Sequence, residues 1–397
     1  MKRVLLLSLF SLLVCSCGNR KPEMMTLVSL SSIELEDDFW TPYYLIHKDV
    51  TLPLAESWTE RFFDPPMVAK AVEGMAYSLQ FEKDPELAVR RGTWVTRLKN
   101  ETGSRLAVAD TCEVSRSVTK VFNYSDMLRI SSEGKYVDNL EQTLYNEVLP
   151  GISLKGDSFF SESPSSSDGG LRRKTWDETP GAAMDLFRVV PYVGNTAYGT
   201  SKKALWVNLF IGGEAKVRLC GEDITVRQTT SYPWDGYVAL RLGLPRSVKA
   251  EVRLRVPSWC EDFTITVNGG AVNVPVVAGY AVLDRKWQDG DTIEMVLDMP
   301  VETVRSLPGK EAVEGLRAVR RGPVYYCAEE VDNTSFYLAD DISFRIEKLP
   351  NKTWWGHELT KIIAESPDLP PLTMVPYFAW GNREPGWMRL LIPIAIK

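Results

Sequence analysis

The chain has few side chains of the kinds that bind transition metals or act as nucleophiles. It contains six cysteines and only two histidines, His47 and His357. So few imidazoles argue against a metal site with several histidine ligands and against a Ser–His triad. The cysteines beyond the N-terminal segment lack the C-x-x-C spacing of a zinc knuckle or redox motif. The sequence leaves open whether these are disulfides or buried free thiols: Cys112, Cys220, Cys260 and Cys327.

Carboxylates are abundant, with 52 Asp and Glu residues against 46 Lys and Arg. The net charge of −6 and the absence of a long basic run argue against a nucleic-acid partner. A glycosidase would use two carboxylates that flank the scissile bond, but this abundance singles out no pair. Aromatic rings stack on sugars. Trp354 and Trp355 have polar neighbours, so we predict an exposed substrate-binding platform there, with core packing as the alternative.

The first 17 residues have the pattern of a bacterial lipoprotein signal. Lys2 and Arg3 precede the apolar stretch 4–14, which is shorter than the roughly 20 residues that a membrane-spanning helix needs. Residues 14–17 resemble a lipobox, in which Cys17 becomes the lipidated first residue. We therefore predict a lipid-anchored protein of the bacterial cell envelope, at the outer membrane or facing the periplasm, with a tether over residues 18–30. An ordinary secretory signal is the alternative.

The elements that must position the chemical groups change in type near residue 200. Between about 64 and 147, apolar residues recur at helical spacing, and Asp84-Pro85 indicates a helix start. Residues 161–175 are rich in Ser and Gly, as in a loop. After residue 203 the apolar period is two, with turn signals such as Asn268-Gly269. The 397 residues thus predict a multi-domain α plus β protein, with a helical domain over 31–199, a β-sandwich over 200–302 and a C-terminal β domain over 303–397.

Motifs within the strand region carry a specific resemblance. Further motifs precede the strand region. They are residues 143–146 (TLYN) and 151–154 (GISL), with residues 38–40 (DFW), Lys70 and Glu73 nearer the start of the chain. The strand-region motifs are, in chain order, 228–236 (QTTSYPWDG), 254–259 (LRVPSW), 267–269 (VNG), 285–291 (RKWQDGD), 321–326 (RGPVYY) and 375–383 (VPYFAWGNR). Together the motifs resemble glycoside hydrolase family 127, the β-L-arabinofuranosidase family, over nearly all of the chain beyond its signal.

This resemblance implies a fold and a mechanism. The family combines an (α/α) barrel with two β-sandwich domains, which agrees with helices followed by strands, and here the barrel would be partial. It implies arabinose-containing plant glycans as substrates and a retaining reaction through a covalent glycosyl-enzyme intermediate. The implied nucleophile is a cysteine thiolate held by zinc, whose ligands are one Glu and three Cys. Zinc keeps the sulfur deprotonated and in position.

Transferred residue by residue, the family's motifs leave an incomplete site. Its Glu-Thr-Cys motif corresponds to residues 110–112, which makes Asp110 and Cys112 the candidate catalytic residues and zinc ligands. Its cysteine pair falls on Gly181 and Ala182, so the nucleophile and two ligands are missing. Zinc sites need three or four ligands. We therefore expect that zinc, although implied by the family, does not bind here.

The helical region is also short for this family. Only 23 residues separate Leu87 from Asp110, where the family has a long stretch with several sugar-binding histidines. Glu101 is the nearest match to the family's general acid and is our third catalytic candidate. The sequence favours a carbohydrate-active protein whose hydrolysis is impaired or lost. The other hypotheses are a glycosidase with altered chemistry, a non-catalytic anchored protein that binds glycans or other partners, and an internally deleted, inactive remnant.

Overall fold

The computed structural model describes residues 24–102, 112–308 and 311–395. Cys17, Asp110 and residues 18–23 of the predicted tether lie outside the described residues. Within the described ranges, no helix has the length and apolar character needed to cross a bilayer. A helical region precedes the main β-sheets, as the change in apolar period predicts.

Several helices of the helical region begin with a proline or a side-chain cap. Pro65, Pro85 and Pro180 each occupy the first position of a helix. Asp64 and Asp84 accept backbone hydrogen bonds in the first turns that follow them, so the helix start predicted at Asp84-Pro85 is confirmed. The α-helices are α1 (Trp40–Ile46), α2 (Leu52–Arg61), α3 (Pro65–Phe81), α4 (Pro85–Thr102), α5 (Glu113–Ser131), α6 (Gly134–Thr143) and α7 (Pro180–Val189). The π-helical turns are His47–Thr51 and Leu144–Val148, and the 3-10 turns are Leu30–Ser32, Leu149–Gly151, Val190–Thr196, Glu330–Asp332, Asn351–Trp354 and Tyr377–Ala379.

Helix α7 packs against both α3 and α5 through their apolar faces. Val68 and Met75 of α3 and Val118 of α5 are fully buried. A Cβ atom at Gly74 would lie 2.3 Å from the ring of Phe187, so glycine is what allows α3 and α7 to approach so closely. The helical spacing between 64 and 147 does not bury every apolar residue: Met127 is 40% exposed, because it lies on the outer face of α5.

The described strands form three sheets. Those of the first sheet, in spatial order, are β1 (Thr26–Leu27), β4 (Tyr198–Thr200), β5 (Ala204–Val207), β9 (Val248–Arg255), β13 (Tyr280–Trp287) and β12 (Val276–Val277). Those of the second are β11 (Gly270–Ala271), β10 (Phe263–Val267), β14 (Thr292–Leu297), β8 (Tyr237–Gly243), β7 (Glu222–Thr230), β6 (Gly213–Leu219) and β2 (Ile33–Leu35). The third contains β15 (Val301–Val304), β16 (Leu316–Arg321), β17 (Val324–Glu329), β20 (Leu372–Pro376), β19 (Leu359–Glu365) and β18 (Ser343–Leu349), with β3 (Ser166–Asp168), β21 (Trp387–Arg389) and β22 (Ile392–Pro393) attached.

The N-terminal segment is part of the first two sheets. Strand β1 pairs with β4, and β2 pairs with β6. The tether prediction is therefore wrong for residues 25–30. Met25 and Leu30 are buried in the core, because their apolar side chains complete the sheets on either side of the helical region. In the sequence, the helical region thus lies between strands that belong to one β-sandwich.

Several motifs of the family resemblance join the helical region to the sheets. In α6, Glu141 accepts hydrogen bonds from the guanidinium of Arg255 (2.5 Å) and from the hydroxyl of Tyr232 (2.7 Å). The amide of Asn146 donates to the carbonyl of Pro323 and accepts from the backbone N–H of Tyr325. These motifs therefore hold the domains together, which accounts for their residue types without any role in catalysis.

Candidate functional site

Cys112 lies at the start of α5, where the family places a zinc ligand. Its Sγ atom accepts a hydrogen bond from the backbone N–H of Ser115 over 3.4 Å and lies 3.3 Å from the Ser115 hydroxyl. This is the geometry of a helix N-cap, in which the side chain satisfies a donor that the helix leaves unpaired. The thiol is partly buried and free. In the described structure Cys112 therefore acts as a cap.

The first turn of α7 is where the family's two other cysteines belong. Gly181 is half-buried, and the methyl group of Ala182 is 1% exposed, so neither residue offers a metal donor. No group of three or more His, Cys, Asp or Glu side chains is arranged to hold a metal within residues 24–102, 112–308 and 311–395. The described residues at the position that the family resemblance implies for the metal offer no complete set of zinc ligands.

Glu101 lies near the end of α4, on its exposed side. Its carboxylate is 3.0 Å from Nε of Arg97, four residues earlier on the same helix, and both side chains are close to half exposed. Surface pairs at this spacing contribute a few tenths of a kcal/mol to a helix. The structure therefore shows Glu101 in an ordinary surface ion pair, and Asp110 lies outside the described residues.

The tryptophan platform predicted at residues 354 and 355 is wrong for one of its two members. Trp354 is 2% exposed and packs beneath the guanidinium of Arg383, because the 3-10 turn that ends at this residue directs its ring inward. Trp355 has a left-handed backbone and is 36% exposed. The Lys155 ammonium lies 4.7 Å from its ring centre. Of these two tryptophans, Trp355 alone has an exposed ring.

A buried charge network that sequence reasoning did not single out links α3 to α7. The ammonium of Lys70 lies 2.7 Å from a carboxylate oxygen of Asp185, and both side chains are almost fully buried. Nε of Arg188 lies 3.0 Å from the other oxygen of Asp185, and its NH1 atom donates to Glu73 over 2.9 Å. Lys70 and Glu73 are among the residues that match the family resemblance, which was the available signal.

Beside this network lies an open cleft of about 560 Å³, formed by α3, α5 and the end of α7 with its following turn. Sequence reasoning did not find it. The available signal was the spacing of positions 119, 122, 126 and 129, which places them on one face of α5. The cleft is lined by Glu73, Tyr77, Thr119, Phe122, Asp126, Arg129, Arg188 and Tyr192.

The two histidines lie elsewhere in the core. Nε2 of His47 is 2.8 Å from the hydroxyl of Ser78, and His47 stacks on Phe187. Burial lowers the pKa of His47 to about 3. Nε2 of His357 is 3.1 Å from the carbonyl of Leu154, and burial lowers the pKa of His357 to about 4. Both imidazoles are therefore neutral at physiological pH.

Three family models match consecutive parts of the chain. The β-L-arabinofuranosidase GH127 catalytic domain matches residues 99–194, the GH127 middle domain matches 204–299, and the family 127 C-terminal domain matches 301–393. The chain belongs to glycoside hydrolase family 127. This confirms the family resemblance, and the helical region followed by several β-sheet domains agrees with the family's architecture.

A curated relative of this GH127 protein is the non-reducing end β-L-arabinofuranosidase of Bifidobacterium longum subsp. longum. The two are 30% identical in an alignment 322 residues long, which covers 70% of this chain and 48% of the relative. The GH127 chain therefore spans about half the length of the curated relative that it matches.

Solved structures of the family share the fold. The GH127 β-arabinofuranosidase BT3674 superposes with a TM-score of 0.80 at 19% identity, over 95% of this chain and 99% of that one. The GH127 β-L-arabinofuranosidase Ara127N-Se from Geobacillus stearothermophilus T6 gives a TM-score of 0.66 at 26% identity, over 82% of this chain and 59% of that one.

Proposed function

We propose that this GH127 protein binds arabinose-containing glycans and does not hydrolyse them by the thiolate and zinc chemistry of its family. The observation that carries the proposal is the first turn of α7, where Gly181 and the buried Ala182 offer neither nucleophile nor metal ligand. Cys112 alone could supply at most one protein ligand from the described residues, below the three or four that a zinc site requires.

The family binds glycans and hydrolyses them, and the described structure supports the first of these two activities. The β-sheet domains are present, and the open cleft between α3, α5 and α7 offers aromatic rings and charged side chains, the groups that bind sugars. We further propose that the protein acts at the bacterial cell envelope, exported through its N-terminal signal and anchored by a lipid on Cys17. Radiolabelled palmitate incorporation, abolished by Cys17→Ala, tests the anchor.

Hydrolysis and binding can be separated in one set of measurements on the purified protein. We expect no release of chromophore from an aryl β-L-arabinofuranoside, with or without added zinc, and binding to arabinose-containing glycans on an array. Zinc-dependent turnover that Cys112→Ser abolishes would overturn the proposal and identify an active glycosidase. Absence of both turnover and binding would overturn it in favour of an inactive remnant.

A further inference from the structure

We propose that the open cleft formed by α3, α5 and the end of α7 is a binding site for a neutral sugar residue of a glycan. This inference rests on the proposed glycan-binding function and assigns it to a place. The cleft volume of about 560 Å³ lies within the range of about 300–1,000 Å³ that is usual for small-molecule sites.

Aromatic rings form one wall of the cleft. The ring centres of Phe122 and Tyr192 are 4.6 Å apart, and those of Tyr77 and Tyr192 are 5.0 Å apart. All three side chains are partly exposed, so ring surface remains available to the C–H groups of a sugar. In the core, such rings would be covered by other side chains.

The charged groups of the cleft balance one another. Arg188 is paired with Glu73, and Arg129 is paired with Asp126 over 3.1 Å. Two guanidinium groups and two carboxylates sum to no net charge, so the cleft does not favour an anionic ligand such as a uronic acid. It does offer both donors and acceptors to hydroxyl groups, since guanidinium N–H groups donate and carboxylate oxygens accept.

Several of these groups are held in place before any ligand binds. Arg188 is fixed by Glu73 and Asp185, and its guanidinium lies 4.9 Å from the ring centre of Phe122. The Tyr77 hydroxyl donates to Glu73, and the Tyr192 hydroxyl is 2.6 Å from that of Ser125. A preorganised site loses little side-chain freedom on binding, which favours affinity.

The cleft is separate from the family's metal position. Cys112 caps the first turn of α5, whereas the charged pair of Asp126 and Arg129 lies near the other end of that helix. At 1.5 Å per residue, Asp126 is about 20 Å from Cys112 along the helix axis. Loss of the metal and nucleophile therefore leaves these cleft residues in place.

The test is calorimetric titration of the full chain with neutral arabino-oligosaccharides and, separately, with oligogalacturonides. We expect Phe122→Ala to weaken neutral-sugar binding by about tenfold or more and Tyr192→Phe to weaken it less, with circular dichroism and melting temperature confirming that both variants fold. Phe62→Ala is the matched control, a phenylalanine outside the cleft that is 47% exposed, and should leave affinity unchanged. Binding that persists unchanged in Phe122→Ala would overturn the cleft and leave the proposed function standing, and its loss in Trp355→Ala would place the sugar site at Trp355 instead. Tighter binding of oligogalacturonides would overturn its neutral-sugar character, and absence of any glycan binding would overturn the proposed function itself.

Discussion

The ammonium of Lys70 lies 2.7 Å from a carboxylate oxygen of Asp185, and water reaches neither group because their side chains are 1% and 0% exposed. Removing Lys70 leaves the buried Asp185 carboxylate with Arg188 as a remaining cation, and breaking a buried pair typically costs about 3–5 kcal/mol. We expect Lys70→Met to lower the free energy of unfolding by this order, measured by urea denaturation. Asp185→Leu should cost more, because Arg188 also loses its neighbour.

The double variant Lys70→Met with Asp185→Leu should recover part of the loss, because no unpaired charge remains at this position. Arg218→Met is the surface control. Its partner Asp223 is 84% exposed, and exposed pairs contribute about 0–1 kcal/mol. If Lys70→Met were as mild as Arg218→Met, the buried pair would not stabilise the contact between α3 and α7.

The joint between α6 and the β-sandwich gives a second stability prediction. Arg255 is fully buried, and Glu141 and Asp138 are its charged partners. Glu141→Gln should destabilise the protein by about 3 kcal/mol or more, since Arg255 then loses the charge that compensates it in the core. Tyr232→Phe removes one hydrogen bond to Glu141 and should cost about 1–2 kcal/mol. Equal losses in the two variants by urea denaturation would contradict this assignment.

Stability should fall as the pH drops below neutrality because of the two buried histidines. The folded pKa of His47 is about 3 and that of His357 about 4, both below the ordinary 6.5. Above pH 6.5 both states hold neutral imidazole. Below pH 6.5 each imidazole is protonated in the unfolded chain but stays neutral in the folded protein. The free energy of unfolding therefore decreases as the pH falls from 6.5 toward the folded pKa values. Each histidine should cost about 2 kcal/mol between pH 7 and pH 5.

A histidine variant separates the effect of histidine protonation on stability from that of the buried carboxyl groups. Burial raises the pKa of Glu141 and of Asp37, which acts in the opposite direction on acidification. The measurement is therefore a difference: the free energy of unfolding at pH 7 minus that at pH 5, for the wild type and for His47→Asn. We expect the variant to lose about 2 kcal/mol less than the wild type. An identical pH dependence in the two proteins would show that His47 does not titrate in this way.

Zinc should not stabilise this protein. Metal that binds the folded state raises the melting temperature in proportion to its affinity, and the described residues near Cys112 do not complete a site. We expect the melting temperature with equimolar zinc to match that with a chelator. Cys112→Ser should retain the cap and change stability little, whereas Cys112→Ala should cost about 0.5–2 kcal/mol. A zinc-dependent rise that disappears in Cys112→Ser would contradict the capping role.

The sequence predicted the classes of element and the family well, because apolar spacing and short motifs are local signals. It could not predict how Arg255 is used. The motif marks the residue, but its partner Glu141 is 114 positions away, and only the packed fold brings the two together. Cys112 shows the same limit. The motif identified its position, while its role as a helix cap depends on the backbone of α5. Trp354 and Trp355 have similar neighbours, but only Trp354 is buried, because the 3-10 turn ends at Trp354 and Trp355 has a left-handed backbone.

The pairing of β1 with β4 has a consequence for how the chain folds. Thr26 is aligned with Thr200, so this edge of the sandwich forms only after the whole helical region has been synthesised. Contacts between such distant positions slow folding, because a long loop must close before any contact repays its entropy. Strands β1 and β2 therefore remain unpaired until the helices that separate them from β4 and β6 have been synthesised. The N-terminal end of the sandwich, although first in the chain, is among the last parts that can reach its native arrangement.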